Sequence, residues 1–261
     1  EEHSIGINYI VMNKLKDKIQ KKPVVGIWSI VSSAKLTEIF SLSGLDFIIF
    51  DKEHGHFSDD SLENAIRSCE LSGAVPLVRV SSVNLQKTQT ALDAGAYGVI
   101  APKINTGHEA RDLVATALLP PYGERGFNPF TRAGNFSNKI DDSSFKLSKD
   151  FPMICAIVET SEGLSNLKEI CSVDNLDVIY IGIYDLSVDL GFNGDVQNNE
   201  LQEIVKNSIK DINDLGKIAG MMVSSADDYQ KAIKLGAKFI VYSVDSYLIK
   251  NMAEEIMQIT S

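Results

Sequence analysis

The chain has 261 residues, 44% of them hydrophobic and 23% charged, and its formal net charge at pH 7 is -10. That length can bury the full core of one α/β barrel, which typically needs about 250 residues. The acidic balance gives no basic footprint for nucleic acid and disfavours anionic membranes, while a locally positive site for an anionic substrate stays open.

The N-terminal stretch from Lys14 to Lys22 reads as the solvated face of a first helix, within an extension covering residues 1–22. Eight short apolar runs follow, each a strand candidate: Val24–Ile30, Phe47–Asp51, Pro76–Val80, Gly98–Ile104, Met153–Glu159, Val178–Ile183, Ile218–Val223 and Phe239–Asp245. Near-continuous apolar runs suit strands covered on both faces, as in a parallel sheet. Helical patterns lie between them. Asp60–Leu71 places Leu62, Ile66 and Cys69 on one face, Gln86–Ala94 ends at Gly95, and Asp228–Leu235 ends at Gly236; glycine is a favoured helix C-cap. Eight strands alternating with helices predict a single-domain (β/α)8 TIM barrel over residues 1–261. The competing doubly wound sheet is disfavoured, because no glycine-rich dinucleotide fingerprint follows the first strand. The rhythm breaks once, over residues 119–150. A long irregular segment is usually a lid or binding loop, and this one is expected on the active face.

Cys69, Cys155 and Cys171 form an odd set without CxxC spacing. A disulfide framework or thiolate zinc site is therefore not expected. With no signal peptide and no apolar run long enough to span a bilayer, a reducing cytoplasm is the expected location.

Barrel enzymes place their chemistry at the strand C-termini. Here those ends carry Asp51-Lys-Glu-His-Gly-His56, Arg79, Lys103, Glu159, Asp185 and Asp245. Glu159 and Asp185, at adjacent strand ends, can share a hard divalent cation such as Mg2+ or Mn2+; alternatively each caps the helix that follows. Arg79 interrupts an apolar strand and needs an anionic partner, either substrate or a neighbouring carboxylate. His54 has the chemistry of a general base, with Asp93 to orient it, or is a surface residue. His56 and His108 keep the surface reading, and the His54/His56 pair lacks an obvious third zinc ligand. Lys103 is either exposed, a carboxylate partner, or a Schiff-base lysine of a metal-independent aldolase.

Asp51-Lys-Glu-His-Gly55 resembles the D-x-E-H-G/A signature of the HpcH/HpaI aldolase family of metal-dependent pyruvate aldolases. Further matching stretches are Leu77-Val-Arg-Val80, Leu92–Pro102, Pro120-Pro-Tyr-Gly-Glu-Arg-Gly126, Val158-Glu-Thr160 and Ile181-Gly-Ile-Tyr-Asp-Leu-Ser187. Order and spacing agree from about residue 20 to 250. The resemblance implies a barrel whose last helix lies on a neighbouring subunit of a homo-oligomer, often a hexamer. It implies Glu159 and Asp185 as ligands of Mg2+, Mn2+ or Co2+. Arg79 would stabilise a pyruvate enolate, and Asp51 belongs with it in the catalytic set. His54 with Asp93 would carry the proton transfers. The main chain from Gly182 to Asp185, chiefly the N–H groups around Tyr184 and Asp185, would hold the keto acid carboxylate. The implied reaction cleaves a 2-keto-4-hydroxy acid to pyruvate and an aldehyde. Two alternatives are a citrate-lyase-like enzyme using Arg125 and Arg132 for acyl-CoA phosphates, and a non-catalytic barrel that binds a keto acid. Four positions depart from the family pattern: Tyr184 (after Gly182-Ile, for Gly-Pro-Ala), Ile157 (often Gln), Lys103 (commonly apolar) and Ser243 (usually Gly).

Overall fold

The computed structural model describes residues 15–137 and 151–259. Its strands are β1 (Val24–Ser29), β2 (Phe47–Asp51), β3 (Val75–Arg79), β4 (Gly98–Ala101), β5 (Met153–Val158), β6 (Val178–Ile181), β7 (Ile218–Val223) and β8 (Phe239–Val244). Each pairs in parallel with the next in chain order, and β8 returns to β1, closing the barrel. The helices are α1 (residues 15–21), α2 (Ala34–Leu42), α3 (Asp59–Ser72), α4 (Leu85–Asp93), α5 (Gly107–Ala117), α6 (Ser161–Ser165), α7 (Leu167–Cys171), α8 (Ile183–Asp189), α9 (Asn199–Asp214), α10 (Ala226–Leu235) and α11 (Asp245–Ile259). This is the expected (β/α)8 barrel. None of the described helices is long and apolar enough to cross a membrane.

The strands form where the apolar runs lie, because both of their faces are covered. β2, β4, β5 and β6 are buried at every position. Inner side chains fill the barrel and outer ones meet the helices. Helix starts are fixed by short polar side chains that accept otherwise orphaned N–H groups: Ser33, Ser58, Asn84, Thr160, Asn198 and Ser225. α5 carries a full capping box between Thr106 and Glu109. α1 closes the N-terminal end of the barrel. Its Leu15 and Ile19 are buried, and Lys16 pairs at 3.0 Å with Asp177, which also accepts the Ile154 N–H at 2.8 Å.

The seam between β8 and β1 has an irregularity. Register skips between Gly26 and Trp28, opposite Val241 and Val244. Within the skipped stretch Ser243 is buried with φ of +63°, a conformation that favours glycine. This accounts for the usual glycine of the resembled family at this position. Asp245, next in the chain but one, is fully buried.

The long connection is not where the sequence placed it. α5 intervenes after β4 and carries the chain back to the N-terminal end of the barrel before residue 119 is reached. The described part, residues 119–137, lies there. Arg132 pairs with Glu70 near the end of α3, and its side chain lies against Gly95 after α4. Thus 119–137 is not an active-face loop; residues 138–150 of that expectation, like residues 1–14 of the N-terminal extension, lie outside the described residues.

Candidate active site

A cavity of about 270 Å³ opens at the strand C-termini. Its charged side chains and its imidazole come from one arc of the barrel: Asp51 at the end of β2 and His54 beyond it, Arg79 on β3, Glu159 after β5 and Asp185 after β6. The opposite arc is apolar, with Met222 on β7, Val244 on β8 and Ile30 after β1.

Asp51 and Arg79 are strand partners in register, so the fold itself sets them side by side. Arg79 Nε donates to Asp51 Oδ1 at 2.9 Å and Nη2 binds Oδ2, a two-pronged pair. Nη1 reaches Glu53 at 3.2 Å, and the guanidinium lies 4.5 Å from the centre of the Trp28 ring. Burial opposes the arginine's charge, but Asp51, Glu53 and Glu159 outweigh it and hold its pKa above the ordinary value. Asp51 also accepts the N–H groups of Glu53 and His54, at 2.8 and 3.2 Å. It therefore fixes both the arginine and the turn bearing His54, which is exposed at the rim.

Glu159 is 4% exposed. The Lys103 backbone N–H donates to its Oε1 at 2.9 Å. Burial and the neighbouring Asp185 push its pKa up to about 7, against the pull of the Lys103 N–H and Arg79. Gly182 makes room for it: a Cβ there would sit 2.6 Å from Glu159 Oε2 and 2.7 Å from its Cβ. Among the described residues no three His, Cys, Asp or Glu side chains gather as a metal cluster. The protein's own offer is thus two carboxylates facing one cavity, one of them too desolvated to hold its charge easily. That donor set fits a hard oxygen-preferring cation with its remaining positions open to water and substrate. Gly182 leads into α8 without a side-chain cap, so the first N–H groups of that helix, including those of Tyr184 and Asp185, are left for other acceptors. Tyr184 is half-exposed at the mouth.

Other expectations separate from this cavity. Asp93 ends α4, which runs away from the strand C-termini, and its neighbours are Gln89 and Arg125. Within one chain it does not meet His54. Arg125 is buried beside Asp93 and over the Phe151 ring, and Arg132 is taken by Glu70. Lys103 turns outward; its φ of +53° aims its N–H at Glu159 while its side chain is exposed and outside the cavity lining. Asp245 is buried but is occupied by the Ser29 hydroxyl at the end of β1 and by the N–H groups of Ile30 and Val31 that follow it. Conversely, Glu53, Trp28 and Tyr180 shape the site without having been singled out. Glu53 stands two residues after Asp51 in the quoted motif, and the register of Asp51 with Arg79 was the signal that would have found it.

A family model described as HpcH/HpaI aldolase/citrate lyase matches residues 24–251. A 2-keto-3-deoxy-L-rhamnonate aldolase of Escherichia coli is 29% identical over 259 residues, covering 95% of this chain and 93% of the relative. A 4-hydroxy-2-oxo-heptane-1,7-dioate aldolase of Salmonella paratyphi A is 30% identical over 245 residues, covering 94% and 93%. Among solved structures, an HpcH/HpaI aldolase from Desulfitobacterium hafniense DCB-2 superposes with a TM-score of 0.87 at 26% identity, over 95% of this chain and 96% of that one.

Proposed function

Because the chain belongs to the HpcH/HpaI aldolase/citrate lyase family, we propose that it is a divalent-metal-dependent aldolase that cleaves a 2-keto-4-hydroxy acid to pyruvate and an aldehyde. The observation that carries this reading is the pair Glu159 and Asp185 facing one cavity with Arg79. A cation held by these two carboxylates, Mg2+, Mn2+ or Co2+, supplies a Lewis acid for the negative charge that develops on the keto acid. The N–H groups of Tyr184 and Asp185 hold the carboxylate of the keto acid. His54, at the rim, takes the proton of the C4 hydroxyl. The C3–C4 bond breaks, its electron pair passes to the pyruvate half as an enolate, and the aldehyde leaves; protonation at C3 then gives pyruvate. Arg79 faces the enolate as a fixed cation, and Asp51 and Glu53 keep it in place. The aldehyde half lies toward the apolar arc of Ile30, Met222 and Val244.

The acyl-CoA alternative loses its support, since Arg125 and Arg132 lie at the other end of the barrel. The Lys103 side chain is exposed and is not among the residues lining the cavity, which gives a Schiff base there no support. α11 exposes Ile249, Met252 and Ile256; these form the face that a second copy of the chain would cover. The test of function is pyruvate release from a 4-hydroxy-2-oxo acid after chelation and after Mg2+, Mn2+ or Co2+ is restored. Release is expected to vanish and return; release that survives chelation overturns the metal reading.

A further inference from the structure

Tyr180 lies two positions before Gly182, on the inward face of β6. It is 4% exposed and forms part of the floor of the cavity shared by Glu159, Asp185 and Arg79. Its ring is held on two sides. It meets Trp28 edge-on at 5.9 Å and Phe239 edge-on at 6.5 Å. The Trp28 indole N–H donates to its hydroxyl at 3.3 Å.

A phenol both accepts and donates. Trp28 uses the accepting side. For the Tyr180 proton there is no acceptor among the described residues. A buried donor left unpaired is costly, so a group that persists in this state at the floor of a cavity is suited to a ligand's oxygen. Burial raises the phenol's pKa above its ordinary value, and the charges of Arg79 and Glu159 both act on it. It therefore stays protonated at neutral pH and stands among the groups assigned to the enolate. On the neighbouring strand its register partner is Ile157, a hydrocarbon where the resembled family often carries glutamine. At this level of the barrel β5 offers no side-chain donor, and β6 offers Tyr180.

We propose that Tyr180 is a catalytic residue whose hydroxyl donates a hydrogen bond to the keto acid oxygen that gains negative charge as the enolate forms, with Trp28 as the positioning residue that fixes it. The proton stays on the phenol throughout. This deepens the aldolase reading and rests on it. A donor aimed at developing charge strengthens as the charge grows, which favours the enolate over the bound keto acid.

Tyr180→Phe keeps the ring and deletes the donor. Trp28 is the sole tryptophan of the sequence, so its fluorescence reports binding at the site without turnover. Metal-loaded wild type and Tyr180→Phe would be titrated with pyruvate and with oxalate, a planar mimic of the enolate. Deuterium exchange into the pyruvate methyl group and thermal unfolding would be measured on the same samples. The expected result is about a tenfold or greater loss of oxalate affinity with little change for pyruvate, and exchange slowed about 100-fold. Trp28→Phe, which keeps the hydroxyl and loses its anchor, should slow exchange less. Unchanged oxalate affinity and exchange, with only a lower melting temperature, would reduce the hydroxyl to a structural partner of Trp28 and overturn the proposal alone. A wild-type protein that neither binds oxalate nor exchanges would overturn the aldolase reading, and the role of Tyr180 with it.

Discussion

Two strand-end carboxylates, Asp245 at the β8–β1 seam and Glu159 at the β5–β6 rim, are both buried, at 0% and 4% exposure, yet they are treated in opposite ways. Asp245 accepts the Ser29 hydroxyl at 2.8 Å and the N–H groups of Ile30, Val31 and Ser246 at 3.1, 3.1 and 2.7 Å. Among the described residues Glu159 has the single Lys103 N–H, and it faces Asp185. A buried carboxylate with its acceptor sites filled from the framework is part of that framework. One with a single donor and a like-charged neighbour is poised for a proton or a cation. Both stand at strand ends beside a helix start, so position alone cannot separate them; the number of donors can.

The contrast makes opposite demands of mutants. Glu159→Ala or Asp185→Ala should cut metal-dependent turnover by about 1000-fold or more while leaving the fold intact, checked by initial rates and circular dichroism. Turnover retained in both would remove the metal site. Asp245→Ala should do the reverse and strike stability first. Orphaning four donors at the seam is expected to cost about 3 kcal/mol or more in urea unfolding. A loss confined to activity would move Asp245 from the framework to the site.

The same contrast has a pH signature in metal-free protein. The folded pKa of Glu159, raised to about 7 from the ordinary 4.5, means that the folded state holds the proton more tightly than the unfolded chain. The resulting stability is fully present below the ordinary value and is lost as pH rises through about 7. Relative to Glu159→Gln, wild type should therefore lose about 3 kcal/mol between acid and neutral pH. A flat difference would show that Glu159 does not titrate there. Gly182→Ala has a smaller expected effect. The added methyl displaces Glu159, and metal affinity should fall about tenfold, or 1.4 kcal/mol, by calorimetric titration. An unchanged affinity would mean that Glu159 shifts freely.

The barrel was legible because its strands are apolar runs separated by helical stretches, and β2 and β7 coincide with their expected limits. The long connection was misplaced because α5 was overlooked. Its signal was present, since Thr106 and Glu109 have capping-box spacing, and a helix there sends the chain to the opposite end. The same reasoning separates Asp93 from His54: a residue at a helix C-terminus just before a strand belongs to the base of the barrel. Strand ends supplied Asp51, Arg79 and Glu159 directly. Tyr180 stayed hidden because an aromatic residue within a strand ordinarily reads as core, and only Trp28, across the barrel in space and 152 residues away in sequence, reveals its hydroxyl.

The central claim, that Glu159 and Asp185 hold a cation which makes enolate chemistry possible, is tested most directly by deuterium exchange into the methyl group of pyruvate, followed by NMR in heavy water with Mg2+ or Mn2+ and then with excess chelator. No aldehyde is needed. The expected result is exchange that requires the metal, stops on chelation and is absent in Glu159→Ala. Exchange that continues under chelator, or that Glu159→Ala leaves intact, would contradict the claim.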